Sequence, residues 1–167
     1  MDPAYLRQRL RYDPETGKLW WRHYEPRGAR WNGRWAGKEA FTAIGSKGYR
    51  VGHMDGKHRH AHRVIWAIVH GEWPVEIDHE DHDPSNNRLR NLRETNRTGN
   101  GRNQSRSRAN TSGVTGVCWC KRHQSWLSRI EVNGRNLHLG YFDDFDAAVA
   151  ARKAGEIKHA FHPNHGK

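Results

Sequence analysis

The residues of this chain best suited to chemistry lie between positions 77 and 103. Ile77-Asp78-His79 is followed by Asn86-Asn87, Asn91, Asn96, Asn100 and Asn103. Hydrolysis of a phosphodiester needs a base that works near neutral pH, and histidine is the side chain whose ordinary pKa lies there. It needs a divalent cation to offset charge on the phosphate and on the leaving oxygen. It also needs ligands for that cation and a group that fixes the histidine tautomer. Asp78, His79, Asn91 and Asn100 are able to supply all four functions between them. Taken singly, each of these residues is more often a cap or a turn residue. His82 and Asp83 could also reach a cation, but Pro84 and the polar run around them fit a loop better.

The partner that such chemistry requires is a polyanion, and the charge balance agrees. Lys and Arg number 29 against 18 Asp and Glu, a formal charge of +11 over 167 residues. A surface of that kind attracts nucleic acid from a distance and gains affinity by releasing its counterions. Aromatic residues interleaved with arginine favour nucleic acid over mere solubility. No basic amphipathic helix is present to serve an acidic membrane, and no apolar run approaches a membrane span. Cys118 and Cys120, one residue apart, cannot easily close a disulfide. A soluble, reducing, cytoplasmic compartment is expected.

Several elements must position the chemical residues. Only 34% of the chain is hydrophobic, which favours two or three small cores over one large one. Residues 2–11 suit a helix capped by Asp2 with Pro3 in its first turn. Residues 12–18 form a turn into a strand at 19–21. Residues 22–47, rich in Gly, Trp and Arg, predict irregular structure with a short strand or two, in which Trp20, Trp21, Trp31 and Trp35 supply packing mass. Residues 49–54 and 57–62 flank Asp55-Gly56, a strong hairpin signal that places His58, His60 and His62 on one face. A polar face near the site is the favoured reading of that trio over a metal centre. A helix at 63–70 ends at Gly71, and a strand at 75–79 ends in Asp78-His79. Leu89 and Leu92 stand at i,i+3 spacing, and residues 95–105 predict a final helix.

The run from Ala61-His62-Arg63 through Ile77-Asp78-His79 and Asn86-Asn87-Arg88-Leu89-Arg90-Asn91-Leu92-Arg93 to Thr95, Asn100 and Asn103 resembles the HNH endonucleases, most of all the phage and intron-encoded homing type. The resemblance spans roughly residues 47–104. It implies an α+β fold with a ββα-metal core, in which a hairpin, a loop and a helix pinch one metal ion. It implies His79 as general base, Asn91 as the residue that orients it through its other ring nitrogen, and Asp78 as a metal ligand. Asn100 stands where many relatives have a final histidine and is implied as the second ligand, with Asn96 and Asn103 as rivals in a shifted register. A carboxylate and an amide oxygen are hard ligands, which points to Mg²⁺, with Mn²⁺ as the alternative, over Zn²⁺.

Residues 101–113 hold no acid and no large apolar side chain and read as a linker. Its Arg102, Arg106 and Arg108 are spaced to lie along a phosphate backbone or simply to solvate a tether. Beyond it, strands at 114–120, 125–132 and 135–141 precede a helix capped by Asp143 or Asp144, giving a small three-stranded antiparallel sheet packed on one helix. Asn110-Thr111-Ser112-Gly113-Val114-Thr115-Gly116-Val117, Trp126, Ile130 and Leu139-Gly140-Tyr141-Phe142 resemble the ethylene-response-factor (Apetala-type) DNA-binding domain. That resemblance implies a sheet that enters the major groove of double-stranded DNA, with Trp119, Arg122, Trp126, Arg129 and Arg135 as candidate contacts. For Trp126, covering the sheet is the favoured role. Cys118, Cys120 and His123 lack a fourth zinc ligand.

The expected organisation is an N-terminal Trp-rich subdomain (1–46), a nuclease core (47–105), a linker (106–113) and a DNA-binding domain (114–167). The implied activity is metal-dependent, site-preferring hydrolysis of duplex DNA by a monomer or homodimer. The rival is a DNA-binding regulator with an inactive nuclease core, or, from the tryptophan content, an RNA-binding module.

Overall fold

A computed structural model describes residues 1–96, 103 and 105–167. It divides into two compact units, Met1–Asn96 and Arg97–Lys167. Among the described residues no helix is long and apolar enough to cross a membrane.

The first unit begins with α1 (Pro3–Arg9), capped where the Asp2 carboxylate accepts from the Ala4 N–H at 2.8 Å. The helix stops short of residue 11 because the chain passes directly into β1 (Leu10–Asp13), which pairs antiparallel with β2 (Lys18–Trp21). Gly17 takes a left-handed φ of +72° to close that turn. Residues 22–47 are more regular than their composition predicts. They contain α2 (Gly28–Trp35), then β3 (Glu39–Ala40), the third strand beside β2, and β4 (Ala43–Ile44). Glycines at 28 and 33 lower helix propensity, and packing overrides them: Trp31 meets Trp21 edge-on at 5.5 Å. The tryptophans also enclose a charge. Arg9, only 1% exposed, lies 4.8 Å from the Trp31 ring and 4.7 Å from that of Tyr24, with Asp55 at 3.6 Å.

β4 joins β5 (Arg50–Met54) and β6 (Lys57–His60) in a second antiparallel sheet, turned at Asp55-Gly56 as the dipeptide predicts. His62 therefore lies not on the second strand but in the first turn of α3 (Ala61–His70), which Gly71 ends at a φ of +82°. β7 (Glu76–His79) pairs with β8 (Leu92–Thr95), placing Asp78 opposite Arg93 and His79 opposite Leu92. The Leu89/Leu92 spacing resolves as one 3-10 turn, Leu89–Asn91, followed by that strand. Leu6, Leu10 and Leu19 share one hydrophobic core with Val64, Ile65, Ala67, Ile77 and Leu92. The boundary expected at residue 46 thus runs through a common core. The helix expected over 95–105 falls mostly outside the described residues, and its first position is the last residue of β8.

The second unit is an antiparallel sheet of β9 (Val117–Cys120), β10 (Ser125–Val132) and β11 (Arg135–Phe142), with β10 central, and α4 (Phe145–Lys158) packed on it. Asp144 is the cap, accepting from the Ala147 N–H at 2.9 Å. A Cβ on Gly155 would stand 3.1 Å from Leu139, so this glycine lets helix and sheet approach closely. Buried Arg152 fastens the helix down, donating to the Arg129 carbonyl at 2.7 Å and approaching His165 Nε2 at 3.0 Å. Residues 110–116, placed in the linker by composition or at the strand's start, form a knit loop. Asn110 bonds the Gly113 N–H and the Val114 carbonyl, and Ser112 donates to the Val117 carbonyl at 2.6 Å.

Candidate functional site

His79 ends β7 and is only 5% exposed, in a wall of aromatic side chains. The His62 ring meets it at 5.1 Å and the Tyr49 ring at 5.7 Å. Its Nε2 lies 3.1 Å from Asn87 Oδ1. An amide oxygen only accepts, so the contact is a hydrogen bond in the tautomer that carries its proton on Nε2, in which Nδ1 is the basic nitrogen. Asn87 is itself 1% exposed, and its backbone is braced from the N-terminal hairpin. The Tyr12 hydroxyl donates to the Asn87 carbonyl at 2.9 Å, and Arg88 Nε donates to the Glu15 carbonyl at 2.7 Å. Burial pushes the Tyr12 hydroxyl up to about 12, so it stays a donor across the physiological range.

Among the described residues the amide that meets the imidazole is that of Asn87, where the resemblance implied Asn91. Asn91 acts one step away, on the backbone beside His79. Its Oδ1 accepts from the Asp81 N–H at 3.0 Å, its Nδ2 donates to Asp81 Oδ1 at 2.9 Å, and its carbonyl accepts from the Glu80 N–H at 3.0 Å. The loop between the two strands closes around Asp81, which also accepts from Asn86 Nδ2 and the Asp83 N–H. Burial works to raise the Asp81 pKa. Hydrogen bonds from Asn86, Asp83 and Asn91, and the charge of His79, outweigh it and hold the carboxyl below its usual range. His82, at a φ of +65°, and Asp83 belong to this loop.

Asp78, next to His79 on the strand, is 7% exposed and pairs with its cross-strand neighbour Arg93, whose Nη2 lies 2.7 Å from Oδ2. Asn100, the other implied ligand, and Arg102 lie outside the described residues. Among the described residues no three His, Cys, Asp or Glu side chains are grouped to hold a metal ion. The implied carboxylate ligand, Asp78, has one oxygen held by Arg93; a carboxylate of this kind suits a hard divalent cation that keeps most of its waters.

A row of imidazoles leads away from His79. Ring centroids step 5.4 Å from His62 to His60, 5.7 Å to His58 and 5.3 Å to His53. Burial, then the charges of His79, His60 and Arg63, push His62 down to about 3, so it stays neutral beside His79. His60 is shifted downward for the same reasons of burial and neighbouring charge.

In the second unit, Arg122, Arg129 and Arg135 are exposed. Arg129 stands opposite His138 on β11, and Leu127 opposite Tyr141, a pairing that a bulge after Ser128 makes possible. The His138 and Tyr141 rings lie 4.7 Å apart, with His123 4.3 Å from Tyr141. Trp119 and Trp126 are not part of that face. They stand opposite each other at 5.3 Å, and Trp126 packs on Phe145 of α4 at 4.7 Å. Arg106 is tied to the Gly113 carbonyl, while Arg108 is exposed.

Asn87, Arg93, His138 and Tyr141 were given no individual role from sequence. The alternation through Arg129 could have signalled the last two only if the bulge were known, and Asn87 is indistinguishable by type from Asn86.

Residues 59–102 match the HNH endonuclease family. Over 76 residues the chain is 33% identical to "Protein 3.8" of Escherichia phage T7, covering 44% of this chain and 63% of that protein. The alignment thus spans less than two thirds of the curated relative's length. No solved structure matches the chain. Residues 59–102 are thus similar to an HNH endonuclease domain, and the phage protein is a weak homologue of part of the chain.

Proposed function

We propose that this chain is a metal-dependent HNH endonuclease of homing type that hydrolyses phosphodiester bonds in double-stranded DNA. The observation that carries this reading is the buried His79 imidazole, anchored through Nε2 on Asn87 inside the segment that matches the family. His79 Nδ1 takes a proton from the water that attacks phosphorus, and Asn87 stabilises the imidazolium as it forms. Asn91 holds the backbone on which His79 is mounted. The P–O3′ bond breaks and the leaving oxygen takes a proton from solvent, leaving a 5′-phosphate and a 3′-hydroxyl.

Asp78 and Asn100 are the residues that would hold a divalent cation, Mg²⁺ by the hardness of their oxygens. When bound, such an ion offsets charge on the phosphate and the leaving oxygen. The exposed arginines of the second unit, Arg122, Arg129 and Arg135, hold the duplex as an ethylene-response-factor-like sheet would. The phage relative fits action in the cytoplasm of a bacterial host.

The test is nicking of supercoiled plasmid by the purified chain with Mg²⁺, with Mn²⁺ and with chelator, wild type beside His79→Ala. Cleavage should require metal and fall by roughly 10³-fold in His79→Ala, while DNA affinity is kept. Salt-sensitive binding without nicking in any metal would instead identify a regulator with an inactive core.

A further inference from the structure

Two clefts flank the Trp-rich part of the first unit, and they treat arginine differently. One, of about 540 Å³, is lined by Arg9, Arg27, Asp55 and Glu39 among aromatic rings. Its cations are neutralised internally: Arg9 and Arg27 both pair with Asp55. The other, of about 740 Å³, is lined by Arg7, Gln8, Arg11, Trp20 and Arg22, with no carboxylate among its lining residues. Glu25 reaches only His23 at its rim, at 3.5 Å. None of the three arginines forms a salt bridge among the described residues.

Guanidinium groups gathered in one cleft without an acid repel one another until an anion arrives. These three are also pre-positioned. Arg11 and Trp20 are cross-strand partners, with the guanidinium 5.7 Å from the ring centroid. Arg22 Nε donates to the Leu10 carbonyl at 3.1 Å, and Arg7 Nε to the Ile68 carbonyl at 2.7 Å. Anchoring through Nε presents the Nη pair as the fork that grips a phosphate.

We propose that this cleft is a second DNA contact surface, in which Arg7, Arg11 and Arg22 bind the phosphate backbone of duplex DNA. The choice of DNA rests on the nuclease reading above; the anion-binding chemistry does not.

The experiment uses the full chain carrying His79→Ala, so that bound DNA stays intact, and measures affinity for a short duplex across a salt series. Each phosphate contact contributes about 0.9 to the slope of log affinity against log salt. The triple variant Arg7→Ala/Arg11→Ala/Arg22→Ala should flatten the slope by roughly 2 to 3. The control Arg30→Ala/Arg34→Ala/Lys57→Ala, which removes the same charge from exposed positions of the same unit, should change it by less than about 1. Equal changes in the two triples, or none in the first, overturn the proposal. Arg7 and Arg22 hold backbone carbonyls, so Arg11→Glu alone guards against misfolding. It should weaken binding by about tenfold, and unchanged binding would overturn the proposal. Greater dependence of duplex RNA binding than of DNA binding on these arginines would overturn the assignment to DNA. A wild type that never nicks sinks the nuclease reading and leaves the slope comparison intact; a wild type that nicks with identical slopes sinks only this surface.

Discussion

The two units place their polar groups in opposite ways. In the first, His62, Asp78, His79, Asn87 and Asn91 are all buried, none more than 7% exposed, and their side chains interlock through hydrogen bonds, an ion pair and ring contacts. In the second, Arg122, Arg129 and Arg135 are exposed, while Arg152 and Phe145 hold the helix to the sheet. Chemistry at a phosphate needs donors and acceptors with fixed orientation in a low dielectric, because reorganisation at the moment of reaction is costly. Holding a polyanion needs only cations on a rigid support, since counterion release does most of the work. Substitutions of these buried polar residues should therefore change rate and stability together, and those of the second unit's exposed arginines should change affinity alone.

The largest break in this contrast is expected from Asn87→Ala. It removes the acceptor that fixes the His79 tautomer while leaving every exposed cation in place. The nicking rate at saturating DNA should fall by about 100-fold, the upper end for a residue that acts through another, with affinity within about twofold. Asn87→Asp keeps an acceptor oxygen at Nε2 and should recover much of that loss. A wild-type rate in Asn87→Ala would mean that the imidazole is held by something else.

Gly17→Ala tests the same bracing from farther away. The added Cβ would fall 2.7 Å from the backbone of Asn87 and Arg88, at a φ of +72° that a side chain resists. The expected result is a loss of about 1–3 kcal/mol in stability and a nicking rate lowered by about tenfold. A variant with normal melting and a normal rate would show that the β1–β2 hairpin does not support the Asn87 loop.

How much of this could be read from sequence follows from the range of each interaction. Asp55-Gly56 and the acidic pair Asp143-Asp144 are local signals, and the structure has a turn and a helix start there, the cap being Asp144. The strand ending in Asp78-His79 was legible from its position after Pro74. Trp31 and Arg9 were not, because α2 owes its existence to a ring packed on Trp21 and not to its own glycine-bearing residues. The Asn-rich run announced a site without saying which amide meets the imidazole. That choice depends on Tyr12 and Glu15, more than seventy residues earlier in the chain. Leu92 looked like half of an i,i+3 pair because strand pairing with His79 is a long-range fact.

A pH prediction sharpens the contrast further. The folded chain holds His62 neutral, with its pKa pushed down to about 3, whereas in the unfolded chain it takes a proton below about 6.5. Stability from this residue is complete above about pH 6.5 and is lost as pH falls toward 3, by about 1.4 kcal/mol per unit. At pH 5.5 that is about a tenfold shift in the folded-to-unfolded ratio. Denaturant titrations at neutral and mildly acidic pH should show the slope, and His62→Phe should flatten it. An acid slope that survives His62→Phe would have to originate elsewhere.

The smallest effect is expected on the exposed face. The Arg129 side chain is solvated, and the carbonyl that Arg152 holds belongs to its backbone, so Arg129→Ala should leave melting unchanged. Affinity for duplex DNA should fall by about threefold to tenfold, the salt slope by about 0.9, and the rate at saturating DNA not at all. Trp126→Ala is the matched counter-case, since its ring packs on Phe145 and its loss should lower stability before it alters binding. If Arg129→Ala instead slowed the chemical step, the second unit would be helping to shape the active site, and the separation of burial for chemistry from exposure for grip would not hold in this chain.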